Sequence, residues 1–130
     1  ELSAYGEYDC LGHIDLIKRH LVLCGFPVEY EKYEGYMDEI LKNVISRGKG
    51  IEVNTSGIRQ GAGETMPGLR TLKRYKELGG EIVTVGSDSH KPADVAADFE
   101  EAAKLLVQAG FDHVTAYERR RPVPGCNLIK

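Results

Sequence analysis

Ile82-Val83-Thr84-Val85-Gly86-Ser87-Asp88-Ser89-His90 is the stretch that decides how this chain is read. Its first four residues are a short, β-branched apolar run, with Gly79-Gly80 just before it and Gly86 after. That pattern predicts a buried strand. Lys91-Pro92 stops the strand, and Pro92 suits the first turn of a following helix. If extended backbone persists through the motif, Asp88 and His90 at i and i+2 point to the same side. A carboxylate and an imidazole then project together from the C-terminal end of a strand, where α/β folds build their sites. Taken alone, the motif reads equally as a helix-entry turn with Ser89 or Asp88 as cap and a solvated histidine.

Cys10-Leu11-Gly12-His13-Ile14-Asp15 repeats the theme: a strand-like run ends in a polar pair at i and i+2. His13 and Asp15 are expected to share a face as Asp88 and His90 do, and two such strand ends are hard to ascribe to capping. Imidazole nitrogen with carboxylate oxygen suits zinc, manganese or iron better than calcium, which prefers oxygen alone.

Outward from these ends the elements alternate. Leu16–Leu23 is expected to be helical and to be broken by Gly25-Phe26-Pro27. Met37, Ile40, Leu41, Val44 and Ile45 form an amphipathic stripe ended by Gly48 and Gly50, ahead of a strand at Ile51–Asn54. Tyr30, Tyr33 and Tyr36 read either as an aromatic binding surface or, preferably, as packing at the start of that helix. A glycine-rich loop spans Thr55–Pro67, and Leu69, Leu72, Tyr75 and Leu78 mark the next helix. A long helix from about Pro92 to Ala109 follows the Ile82–Val85 strand, with Val95, Phe99, Ala102, Leu106 and Ala109 on its apolar face. His113–Tyr117 is the last expected strand, and the charged run Tyr117–Arg121 reads as a solvated terminus. Gly86 is expected to permit the turn that aims Asp88. Strand–helix alternation through right-handed crossovers predicts a parallel sheet with flanking helices, in one domain over 1–130 without an internal boundary.

Composition narrows the function class. Seventeen basic against twenty acidic residues give a net charge of −3, which lacks the basic footprint of a nucleic-acid binder. No stretch approaches the ~20 apolar residues of a membrane span, and no signal-peptide pattern opens the chain. Cys10, Cys24 and Cys126 are odd in number and widely spaced, so they read as reduced, mostly buried thiols of a cytoplasmic protein. At 130 residues the chain is too short for a closed (β/α) barrel, which typically needs ~250.

Four blocks occur in order: His13-Ile14-Asp15-Leu16-Ile17-Lys18-Arg19, Ile51-Glu52-Val53-Asn54-Thr55-Ser56-Gly57-Ile58-Arg59, Arg74-Tyr75-Lys76-Glu77-Leu78-Gly79-Gly80 and Gly86-Ser87-Asp88-Ser89-His90. Together they resemble the PHP (polymerase and histidinol phosphatase) superfamily, and its histidinol-phosphate phosphatases above all, from about residue 9 to about 120. The resemblance implies an α/β fold, the C-terminal half of a distorted (β/α)7 TIM-like barrel. Family members open with a His-x-His strand motif and further ligands ahead of the block matching His13. Here only Glu1–Asp9 precede that block, so the chain is expected to be a fragment partnered by a missing N-terminal half. That fragment is expected to be inactive by itself and to self-associate through exposed sheet edges.

By the same resemblance, His13, Asp88 and His90 are metal ligands of a trinuclear Zn, Mn or Fe site. Asp88 and His90 are also its catalytic pair, and a bridging hydroxide is the nucleophile. Arg19 and Arg59 are implied to bind substrate phosphate, for which a guanidinium fork is suited. Asp15 either orients His13 from behind or caps the helix beginning at Leu16. Glu52 and Asn54 alternate onto one strand face, but the family's metal glutamate lies upstream of His13, so Glu52 is not given that role. His20 and His113 lack partner spacing and read as packing or surface residues. The implied activity is hydrolysis of L-histidinol phosphate in histidine biosynthesis. A phosphoesterase for another small phosphate such as a nucleotide, and a catalytically silent PHP module, stay open beside it.

Overall fold

The computed structural model describes residues 5–129. A parallel sheet of three strands forms its centre, in the order β1 (Cys10–Leu11), β2 (Gly50–Asn54), β3 (Val83–Gly86). β2 lies in the middle, pairing Leu11 with Ile51 on one side and Ile51 to Asn54 with Val83 to Gly86 on the other. Ile51, Val53 and Val83, which share one face of the sheet, are fully buried in the core that the helices build on that side.

Helices fill the crossovers: α1 (Ile17–Leu23) and α2 (Tyr30–Ser46) before β2, then α3 (Ser56–Arg59) and α4 (Leu69–Glu77) before β3. The α2 stripe buries Leu41 and Val44 completely, and α4 buries Leu72 and Tyr75. These side chains, with Ala102, Leu106 and Phe111, make one continuous core against the sheet. The Tyr75 hydroxyl donates to the Ile82 carbonyl at 3.1 Å, so a buried phenol still has its partner. No helix among the described residues is long and apolar enough to cross a membrane.

Several sequence expectations need correction. β1 ends at Leu11 rather than reaching Asp15, because His13 adopts φ 30° and turns the chain into α1. The helix expected from Pro92 begins only at Phe99: α5 spans Phe99–Gln108, preceded by a single 3₁₀ turn at Pro92–Asp94. Ala96 and Asp98 take positive φ in between, which no helix tolerates, so Val95 and Phe99 stay exposed while Ala102, Leu106 and Ala109 are buried. Tyr33 and Tyr36 lie within α2 but are 42% and 72% exposed, so they do not pack the helix down. Cys24 and Cys126 are exposed, one at the end of α1 and one on an outer strand, and only Cys10 is half-buried.

The last expected strand exists but does not join the parallel sheet. β4 (His113–Glu118) folds back on β5 (Arg121–Asn127) as an antiparallel hairpin. The charged run is therefore no loose terminus. Arg119 and Arg120 form its two-residue turn, both at positive φ as such tight turns demand. β4 touches β3 through a side chain instead of a backbone ladder, with Val83 N–H donating to Thr115 Oγ1 at 3.2 Å. Tyr117 donates to the Asp9 carbonyl at 2.7 Å and Arg120 holds the Asp9 carboxylate at 2.9 Å, tying the hairpin to the root of β1.

Candidate metal centre

All three strands run in one direction, so the segments after β1, β2 and β3 leave the same rim of the sheet. His13 follows β1, Asp88 and His90 follow β3, and Asn54 ends β2 between them. A line of hydrogen bonds and close polar contacts crosses this rim. His13 N–H donates to Glu52 Oε2 at 3.2 Å, and the Asn54 amide donates to the same oxygen at 3.2 Å. Asn54 Oδ1 accepts from both the backbone N–H and the hydroxyl of Ser56, at 3.0 and 2.6 Å. Ser56 Oγ lies 3.3 Å from Asp88 Oδ2, and the other oxygen of Asp88 is 3.4 Å from His90 Nε2. The network thus links the His13 backbone to the Asp88 side, but the His13 imidazole does not join Asp88 and His90 in one ion-sized group, contrary to the convergence expected from the sequence.

The Asp88–His90 pairing arises differently from the expected strand alternation. β3 ends at Gly86, and Asp88 sits at φ 47°, a bend that aspartate accepts more readily than most residues. The bend, not the pleat, brings carboxylate and imidazole together. Gly86 is needed for another reason than a turn: a Cβ there would lie 2.0 Å from Glu52 Oε1.

A 3.4 Å gap is what two neighbouring donors show on a tetrahedral ion with bonds of ~2.0–2.2 Å. Oxygen from Asp88 and nitrogen from His90 therefore fit zinc or a similar ion in chemistry and in spacing. His90 is 79% exposed, leaving access to solvent on that side. Among the described residues, no three His, Cys, Asp or Glu side chains gather closely enough to hold an ion. The donor type fits; the donor number is incomplete.

The two arginines are held by different parts of the rim. Arg59, at the end of α3, donates to the Ser87 carbonyl at 2.7 Å and to Asp98 Oδ2 at 3.0 Å, with Asp94 at 3.9 Å. Thr55 adds a bond to the Ala97 carbonyl at 2.7 Å. Together they clasp the segment 87–98, and the Arg59 guanidinium lies beside the backbone of the Asp88 bend. Asp98 does not cap α5 with its side chain; its carboxylate serves Arg59 instead. Arg19 projects from α1 and donates to Gln60 Oε1, next to Arg59 in sequence.

Asp15 does not sit behind His13, nor does it cap α1, whose N-cap is Leu16 without a side-chain bond. The Asp15 side chain is buried, 3.1 Å from Lys18 Nζ, and its oxygens make no hydrogen bond among the described residues. Lys18 is 3% exposed and donates to Glu64 Oε1 at 3.0 Å and to the Thr65 carbonyl at 3.1 Å. Tyr30 donates to the same Glu64 oxygen at 2.7 Å. Burial raises the Asp15 pKa above the usual carboxylate value, and Lys18 opposes the rise. This cluster anchors the Glu64–Thr65 part of the segment after α3 to α1 and α2, whereas the i, i+2 spacing predicts Asp15 beside His13.

Glu52, Asn54 and Ser56 are the residues that motif reasoning undervalued. The signal was present as Glu52 and Asn54 alternating with apolar residues along β2, with Ser56 continuing the spacing just beyond its end.

No family model matches the chain. It is 40% identical over 120 residues to a probable histidinol-phosphatase of Clostridium acetobutylicum, covering 92% of this chain and 46% of that protein. A probable histidinol-phosphatase of Deinococcus radiodurans is 31% identical over 115 residues, covering 88% of this chain and 41% of that one. The fold also matches the crystal structure of histidinol phosphate phosphatase from Lactococcus lactis, solved with zinc, L-histidinol and phosphate. That match has a TM-score of 0.72 at 21% identity and covers 94% of this chain and 46% of the other, so it shows a shared fold. The chain spans rather less than half the length of the relatives it matches. Over most of its own length, it is homologous to the histidinol-phosphatases of the PHP family.

Proposed function

We propose that this chain forms the C-terminal half of a distorted (β/α)7 barrel in a cytoplasmic phosphomonoesterase that converts L-histidinol phosphate to L-histidinol and phosphate. The observation that carries the reading is the line of polar contacts from the His13 backbone through Glu52, Asn54 and Ser56 to Asp88 and His90. Its weight comes from occurring in a chain 40% identical to a probable histidinol-phosphatase.

In this reading His13, Asp88 and His90 hold divalent zinc, manganese or iron, with the remaining donors supplied by the other half of the barrel. Such ions, when bound, supply water acidified to near-neutral pKa and offset charge on the phosphoryl oxygens. The Ser56 hydroxyl contacts Asp88 Oδ2 and so leaves Oδ1 turned toward His90. Arg59 keeps its bond to the Ser87 carbonyl and exchanges Asp98 for substrate phosphate; Arg19 likewise leaves Gln60. Two guanidinium forks then bind charge that grows on the transferring group. An Asp or His of the site protonates the leaving alkoxide. The other half of the barrel also covers the open sheet edge, which in the isolated chain pairs between copies.

The test is phosphate release from L-histidinol phosphate by the intact protein with each metal supplied in turn. Turnover that Asp88→Asn abolishes supports the reading, and absence of turnover with all three metals refutes it. Turnover on a nucleotide but not on L-histidinol phosphate would transfer the activity to a different small phosphate.

A further inference from the structure

We propose that Glu52 is a positioning residue that fixes the spacing between His13 and the Asp88–His90 pair. Its purpose rests on the phosphatase reading; its geometry does not.

Glu52 occupies the central strand and reaches both neighbours at once. Toward β1, its Oε2 accepts the His13 N–H at 3.2 Å and lies 3.2 Å from where a Cβ on Gly12 would be. Toward β3, its Oε1 fills the space a side chain on Gly86 would need, at 2.0 Å. The carboxylate is thus a strut across the rim, seated on two glycines that leave room for it. Asn54 steadies the strut by donating to Oε2 at 3.2 Å, and its Oδ1 fixes Ser56, whose Oγ stands 3.3 Å from Asp88 Oδ2. His13 and Asp88 both depart from extended backbone, at φ 30° and 47°. Such turns hold one position only when a neighbour over-determines them. Glu52 is partly buried, and among the described residues it forms no salt bridge with a lysine or arginine. A pair of backbone and amide N–H groups is what steadies the anion.

The test uses Glu52→Ala, Glu52→Gln and Gly86→Ala in the intact protein, alone and as the Glu52→Ala/Gly86→Ala double variant. Glu52→Ala removes the acceptor, so exchange of the His13 amide should quicken by at least about tenfold. Affinity for cobalt, followed by its visible spectrum, should fall about 10- to 100-fold. The turnover number should fall with it while KM stays within about twofold, because substrate contacts are untouched. Glu52→Gln keeps an oxygen for the His13 N–H and should restore most of the amide protection and cobalt affinity; a residue bound directly to metal would not be rescued this way. Gly86→Ala should be as harmful as Glu52→Ala alone, yet add little on top of it, since the alanine side chain then has space. Should Glu52→Ala fail to fold, Glu52→Asp replaces it, its shorter arm being unable to span both strands. Unchanged His13 exchange, or strictly additive effects of the two substitutions, overturns the proposal. A parent protein without metal or turnover sinks the phosphatase reading instead, and the exchange and additivity measurements still decide the strut.

Discussion

Replacing Lys18 by methionine should destabilise the fold by an amount large enough to measure without ambiguity. The Lys18 side chain is 4% exposed, and its ammonium lies 3.1 Å from Asp15 Oδ2, 3.0 Å from Glu64 Oε1 and 3.1 Å from the Thr65 carbonyl. At an effective dielectric of about 20, one charge pair at this separation attracts by about 5 kcal/mol, most of which offsets the desolvation of both groups. Methionine fills the space of the stem but leaves Asp15 buried with no counter-charge and Glu64 facing it. Removing one partner of a buried pair costs about 3–5 kcal/mol, and the partial exposure of Glu64 places this case near about 3. For a chain of this size that is a drop in Tm on the order of 10 °C. Urea titration with linear extrapolation measures it. Adding Asp15→Asn to Lys18→Met should restore at least half of the loss, because the stranded anion is then gone. A loss below about 1 kcal/mol for Lys18→Met, or no recovery in the double variant, would refute the account of this cluster.

Three further outcomes are expected. Asp15 has its pKa raised by burial, so the native state binds this proton more tightly than the unfolded chain does. Its contribution therefore weakens stability as pH rises from the usual carboxylate value toward the raised one, and is flat beyond both. The difference in unfolding free energy between the parent and Asp15→Asn should fall across that window; a difference that rises with pH contradicts the assigned cause. Asp88→Asn and His13→Ala should each lower the intact protein's metal content as well as its turnover, measured by elemental analysis beside phosphate release, and full metal content in both would remove them from the ligand set. Arg59→Lys keeps the charge but loses the fork that spans Ser87 and Asp98. Limited proteolysis should then cut more readily within 87–98, and KM for the phosphate ester should rise about tenfold or more; an unchanged cleavage pattern would argue that Thr55 alone holds that segment.

Much of the organisation was legible in the sequence because burial leaves a periodic trace. The alternation of apolar strands with amphipathic stripes located β2, β3, α2 and α4 and predicted their parallel arrangement, which the pairing of Ile51 with Leu11 and Val83 confirms. The order of His13, Asp88 and His90 along the chain was likewise readable, as was their position after strand ends. What periodicity cannot encode is where the backbone leaves its regular form. His13, Asp88, Ala96 and Asp98 all take positive φ: the first two turn the chain out of extended backbone, and the other two delay the helix to Phe99. A side chain's local preference is too weak to announce such bends; contacts from distant segments hold them, as Arg59 holds 87–98 and Glu52 holds Gly12-His13.

Residue chemistry, then, was determined by the sequence itself: which side chains can bind metal, which can bind phosphate, and which faces must be buried to escape water. Only the tertiary structure decided the partners. It gave Asp15 to Lys18 instead of His13, turned β4 back on β5 instead of extending the sheet, and set the Glu52 carboxylate between two glycines. The physical reason is that charge and hydrogen bonding act over a few ångströms between segments far apart in the chain, a distance that no local pattern records.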